Sequence, residues 1–242
     1  MASSGEIPVG FDDRGTGPAT VLLHPFPLRR DAWAGIADAL AARRRVITVD
    51  ARGFGDTPLA GPFAIADLAD DVAALLDHLG IERADLWGFS LGALTATGVA
   101  VRHPSKVRRL VLAAVNIRPD GYHPEITAPE QDDWRLPTEQ EFAAWQAAYE
   151  AVAPNPDGLF PFLERMQPVV HEWEGWTDDE VRSVTAPTFL VIGDQDFVRL
   201  DHAAEMLDLF PDCRLAVLPR TKHTEVMQRP EQLRALVEPF LS

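Results

Sequence analysis

Cysteine is almost missing from this chain of 242 residues: Cys213 is the single one, so no disulfide can close within it. That suits a reducing compartment, and a cytoplasmic location is expected. Lysine is nearly as scarce, with only Lys106 and Lys222, and Lys plus Arg reach 22 against 37 Asp plus Glu. The formal net charge of −15 would repel a polyanion, which argues against a nucleic-acid partner. The densest basic run, Arg43-Arg44-Arg45, stands just before an apolar strand-like segment and reads as a solvated helix end. No apolar run approaches the roughly 18 residues that a membrane span needs. The N-terminal stretch MASSGEIPVGFDDRGTG has neither a basic start nor an apolar core, so no targeting segment and no membrane partner are expected.

What is present fits a globular protein: 46% hydrophobic, 24% charged and 8% aromatic residues. Short aliphatic runs alternate with helical patterns. Strands are expected at Thr20–His24, Arg45–Asp50, Asp85–Gly88, Val107–Val115, Thr188–Gly193 and Cys213–Leu218. Helices are expected at Ile65–Leu79, Leu91–Arg102, His202–Leu209 and Glu231–Leu241. This alternation predicts an α/β fold, a mostly parallel sheet with helices on both faces. The regularity stops between about 119 and 184, where prolines are scattered and a helical pattern runs over Thr138–Val152. That stretch reads as an inserted helical cap (119–184) on a core made of 1–118 and 185–242.

The most specific motif is Gly88-Phe89-Ser90-Leu91-Gly92, with a strand before it and a helix after it. By composition a G-x-S-x-G match arises by chance only about 0.03 times in such a chain. The context is that of a nucleophile elbow. Its glycines clear room for a sharp turn, and its serine stands at a helix N-terminus where negative charge is favoured. A serine at its free pKa needs a base. His223 follows the last strand, where catalytic groups gather in parallel sheets, and is the candidate. His78 and His202 are expected at the surface, His103 at a helix end, and His123 and His171 within the cap. His24 is expected to bond loop backbone. The orienting acid is Asp196, with Asp194 the competitor, both just past a strand end, and Asp120 a more distant alternative. The oxyanion donors are the N–H of Leu91, after the nucleophile, and that of Phe26, since Pro25 and Pro27 have none.

These pieces together resemble the α/β-hydrolase fold superfamily, near its small serine esterases and lactonases. The matching segments are His24-Pro25-Phe26-Pro27-Leu28, Asp50-Ala51-Arg52-Gly53-Phe54-Gly55, Gly88–Gly92, Gly193-Asp194-Gln195-Asp196, and His223 ahead of Arg229-Pro230. The order Ser, Asp, His is the order this fold uses. The resemblance favours Asp196 over Asp194 and implies that Asp50–Gly55 is a structural turn. Two departures stand out. Pro25 replaces a glycine common at the oxyanion loop, and Lys222 replaces one common before the histidine. Lys222 is expected to point to solvent.

The expected chemistry is acyl transfer from a small carboxylic ester or lactone to water, with Ser90, Asp196 and His223 as the triad. No cofactor is implied, and no histidine or carboxylate spacing suggests a metal. The alternatives are C–C bond hydrolysis, amide hydrolysis or perhydrolysis on the same triad, or ligand binding without turnover. Phe197, Trp145 and Phe162 are the candidate pocket residues; Phe142, Tyr149, Phe160, Trp173 and Trp176 could also roof an apolar site. The expected partner is a small-molecule substrate, neutral and partly apolar. Residues 119–184 hold 15 acidic and three basic side chains, so −12 of the charge belongs to the cap and −3 to the rest. Either this keeps a solvated lid soluble, or it disfavours anionic substrates at the entrance.

Overall fold

In a computed structural model, residues 2–4, 7–61, 63–127, 134–151, 159–167 and 173–242 are described. Strands β1 (Ala2–Ser4) and β2 (Ile7–Val9) form a small antiparallel ladder. The main sheet has seven strands: β3 (Phe11–Arg14), β4 (Ala19–Leu23), β5 (Arg45–Val49), β6 (Ala84–Phe89), β7 (Val107–Ala113), β8 (Thr188–Gln195) and β9 (Cys213–Lys222). Their spatial order is β3-β5-β4-β6-β7-β8-β9. Only β3 runs antiparallel, at the edge against β5. Helices α1 (Ala34–Ala41), α2 (Ile65–His78), α3 (Leu91–Arg102), α8 (Leu200–Leu209) and α9 (Pro230–Leu241) cover its faces.

The alternation of side chains along each strand sets both cores. Val21, Ile47, Leu86, Leu110, Leu112 and Leu190 face α2, α3 and α8. Their neighbours Leu22, Trp87, Val111 and Val191 face α1 and α9. Because both faces are covered, the central strands are apolar throughout, as the sequence indicated. Each fully buried aliphatic side chain here stabilises the fold by about 1.5–3 kcal/mol. The deepest aromatic contact of the second core is Trp33 against Trp87, with ring centroids 5.4 Å apart; both are 0% exposed.

Between β7 and β8 lie α4 (Pro124–Thr127), α5 (Glu139–Glu150), α6 (Leu159–Gln167) and α7 (Asp178–Arg182). Capping boxes start two of them. Thr138 and Glu141 bond reciprocally at α5, and Thr177 and Glu180 do the same at α7. Val152, at the end of the expected cap helix, and His171 lie outside the described residues. No described helix is long and apolar enough to cross a membrane.

Two expectations need correction. His202 is not at the surface. It is 1% exposed, its Nε2 accepts from the Ile117 N–H at 3.2 Å, and its Nδ1 lies 2.9 Å from Glu205 Oε2. Its helix turns that face toward the loop after β7 rather than to water. The arginine run is not uniformly solvated either: Arg44 is 8% exposed and is bonded to Asp85. A buried carboxylate on β6 draws it inward.

Candidate active site

Ser90 sits in the turn between β6 and α3 with φ 52° and ψ −117°, a strained region for a residue with a side chain. The flanking glycines explain why the turn can form. A Cβ at Gly88 would strike the Gly92 backbone, and one at Gly92 would strike the Leu23 carbonyl. The Ser90 N–H donates to Ala113 O at 2.9 Å, while its own carbonyl accepts from Ala93 and Leu94 and starts the helix.

The serine hydroxyl donates to His223 Nε2 at 3.0 Å. The His223 Nδ1–H donates to Asp196 Oδ1 at 2.7 Å. Asp196 is 1% exposed, and its Oδ1 also accepts from the Val198 N–H at 3.3 Å. The structure thus brings together Ser90 after β6, Asp196 after β8 and His223 after β9. Asp194 is exposed and does other work: its Oδ1 accepts from the Thr221 N–H at 3.1 Å. Asp120 is 73% exposed in its side chain and lies beside Arg118.

The backbone N–H groups of Phe26 and Leu91 have no hydrogen-bond partner among the described residues. Leu91 opens a helix, where the first N–H groups have no intrahelical acceptor. The Phe26 loop is fixed by His24, which is 2% exposed. Its Nδ1–H donates to Pro25 O at 3.0 Å and its Nε2 accepts from the Ala51 N–H at 3.0 Å. Burial lowers the His24 pKa and favours this neutral form.

The candidate pocket residues divide. Phe197 stacks on the His223 ring, with centroids 4.2 Å apart and planes 9° from parallel. Trp145, with Phe26, Leu28 and Met227, lines a cavity of about 300 Å³ beside His223. Phe162 does not line it. It is 0% exposed, clasped by Phe54 and Tyr149 at 4.9 and 5.4 Å, and stacks behind Phe26 at 6.4 Å. Gly53 (φ 84°) makes room for it, since a Cβ there would lie 2.7 Å from the Phe162 ring. Phe160 is 57% exposed and roofs nothing. Lys222 does not simply face solvent: its ammonium donates to Trp134 O at 2.6 Å and lies 5.5 Å from that ring.

Residue-level reasoning overlooked the supports of the histidine loop. Arg220 has φ 50°, and Arg229 donates to Pro219 O at 3.2 Å and Arg220 O at 2.7 Å. With Asp194 on Thr221, these bonds hold the backbone leading into His223. The only sequence signal was the Arg229-Pro230 pair, which by itself names no partner.

A turn-mounted serine, a histidine in contact with it and a buried carboxylate beyond define the class: an α/β-hydrolase enzyme. The family described as the alpha/beta hydrolase fold matches residues 18–161, and the chain belongs to it. The chain is 30% identical to a pimeloyl-(acyl-carrier protein) methyl ester esterase of Aeromonas hydrophila subsp. hydrophila, over 96% of this chain and 99% of that protein. It is 26% identical to an sn-1-specific diacylglycerol lipase of Mus musculus, over 96% of this chain and 83% of that one. Among solved structures, a thermophilic esterase from Thermogutta terrifontis superposes with a TM-score of 0.78 at 26% identity, covering 100% of this chain and 95% of that one. Relatives of this family hydrolyse esters, and ester hydrolysis is the activity they support here.

Proposed function

We propose that the protein is a serine hydrolase that cleaves a small carboxylic ester or lactone through an acyl-enzyme on Ser90. The observation that carries this is the continuous chain from Ser90 Oγ to His223 Nε2 (3.0 Å) and from His223 Nδ1 to Asp196 (2.7 Å). Ser90 Oγ attacks the carbonyl carbon as His223 Nε2 takes its proton. Asp196 keeps the other proton on Nδ1, so Nε2 is free to act as the base. The Phe26 and Leu91 N–H groups, without a partner among the described residues, receive the developing oxyanion. His223 then returns the proton to the leaving alcohol. A water molecule, deprotonated in turn by His223, releases the acid and restores Ser90.

The apolar walls beside His223 favour a neutral, partly apolar substrate. In this reading residues 119–184 act as a cap over the core formed by 1–118 and 185–242, with Trp145 as its contribution to the pocket. Incubation with a fluorophosphonate at neutral pH should label wild type and not Ser90→Ala, and only wild type should turn over p-nitrophenyl acetate. Absence of labelling on folded wild type would refute the nucleophile. Labelling with no turnover of short esters or lactones, but cleavage of a vinylogous diketone, would move the assignment to C–C hydrolysis.

A further inference from the structure

The proposed chemistry occupies the carboxyl ends of the parallel strands. At their amino ends, before β4, β5 and β7, lies a second cavity of about 900 Å³ that this chemistry does not use. Five arginines line it: Arg43, Arg44, Arg108, Arg109 and Arg234. Glu238 is the only carboxylate side chain on its wall among the described residues. Asp85, 0% exposed, lies just behind. Five cations therefore meet two carboxylate side chains and the terminal oxygen of Ser242, in a chain whose net charge is −15.

The internal partners do not use up these cations. Arg234 Nε pairs with Glu238 at 2.6 Å. Asp85 alone answers three guanidinium groups. Arg44 bonds it, Arg108 bonds it at 2.6 and 2.8 Å, and Arg109 stands 3.8 Å away while donating to Ser242 O at 2.8 Å. The Arg43 side chain is exposed and has no hydrogen bond or ion pair among the described residues. Burial, together with the like charges of Arg108 and Arg109, lowers the Arg44 pKa against the pull of Asp85. Crowded like charges cost free energy that an oxyanion would relieve, and a planar guanidinium fork matches phosphate and carboxylate geometry. Apart from Ser242, the rest of the wall is apolar, including Leu40, Pro239 and Leu241.

We propose that this cavity binds a small amphiphilic anion, its phosphate or carboxylate head held by Arg43 and Arg109 and its apolar body against Leu40, Pro239 and Leu241. The site is separate from Ser90, so it stands or falls apart from the proposed hydrolysis.

Calorimetric titration of the intact protein with octyl phosphate, octanoate, octanol and inorganic phosphate tests this. Octyl phosphate should bind once per chain, octanol should not bind, and inorganic phosphate should bind more weakly. Whether octanoate binds as well identifies the head group and supports the proposal in either case. Arg43→Glu changes an exposed, unpartnered side chain, so the fold is kept. It should weaken octyl phosphate about tenfold, the worth of one charge-assisted hydrogen bond, and leave p-nitrophenyl acetate hydrolysis unchanged. Arg109→Gln should weaken it similarly. The proposal fails if octanol binds as tightly as octyl phosphate, or if inorganic phosphate does. It also fails if neither substitution moves the dissociation constant, which would locate the binding elsewhere.

Discussion

Replacing Asp196 by Asn is the sharpest probe of the triad, because it alters one proton and almost no volume. The Asp196 side chain is fully enclosed, 2.7 Å from His223 Nδ1, and also accepts from Val198 N–H. In the variant the amide oxygen can take the Oδ2 place, where it accepts from Gly193 N–H, and the NH2 takes the Oδ1 place that Val198 N–H and His223 Nδ1 share. The amide NH2 then faces Nδ1 and can only donate. His223 must present Nδ1 as an acceptor and carry its proton on Nε2, directed at Ser90, so it can no longer act as a base. The expected loss in kcat is about 10⁴-fold, as for the same change in other Ser-His-Asp enzymes, or about 5.5 kcal/mol of transition-state stabilisation. Asp194→Asn is the matched control. Its oxygen accepts from Thr221 N–H, a role an amide oxygen fills equally well, so kcat should stay within about threefold. Both variants should be assayed with p-nitrophenyl acetate, after circular dichroism confirms folding. A loss below about tenfold in Asp196→Asn would refute the tautomer argument. An equal loss in both variants would show that loop geometry, and not the proton on Nδ1, carries the effect.

Four further outcomes follow. Trp33→Ala should cost about 3–5 kcal/mol in urea unfolding. Trp87→Phe should cost less than half of what Trp87→Ala does, because the buried Trp87 indole N–H has no hydrogen-bond partner among the described residues. Burial lowers the pKa of His202 below its ordinary 6.5, with Glu205 and Asp120 opposing and Arg118 assisting. The unfolded chain therefore binds more protons at mildly acidic pH, and stability should fall as pH drops below 6.5. His202→Asn, followed by melting temperature from pH 8 to 5, should flatten that fall; an unchanged slope would assign it to other groups. If the acidic cap screens the entrance, kcat/KM for an anionic ester should rise about threefold relative to its neutral analogue between low and high salt. Equal salt dependence would leave the cap charge as a matter of solubility.

The central strands were readable in the sequence because each is buried on both faces and therefore continuously apolar. Ser90 and His223 were readable because the elbow demands glycines at fixed offsets and the histidine follows the last strand. Choosing Asp196 over Asp194 needed more than the residues themselves. Both follow the same strand end, and only the fold shows one turned inward to His223 and the other outward to Thr221. Edge strand β3 was invisible, since its sequence Phe-Asp-Asp-Arg carries no apolar alternation. His202 and Arg44 were misread for a common reason. A polar side chain is buried when a specific partner awaits it, Ile117 and Glu205 for one and Asp85 for the other, and such partners lie far away along the chain. Phe162 illustrates the opposite limit. Its aromatic character was plain, but whether it met substrate or other rings depended on the hollow left by Gly53.

The three triad side chains hang from neighbouring parts of one sheet, and the irregular chain between β7 and β8 leaves and rejoins that sheet without carrying any of them. The relative placement of Ser90, Asp196 and His223 is therefore inherited from strand register. Of the cavity beside His223, that separate stretch supplies Glu141 and Trp145. Exchanging that stretch for another should therefore leave the 3.0 Å contact between serine and histidine in place. A graft of residues 119–184 from a relative of different preference should thus change what is cleaved faster than it changes whether anything is.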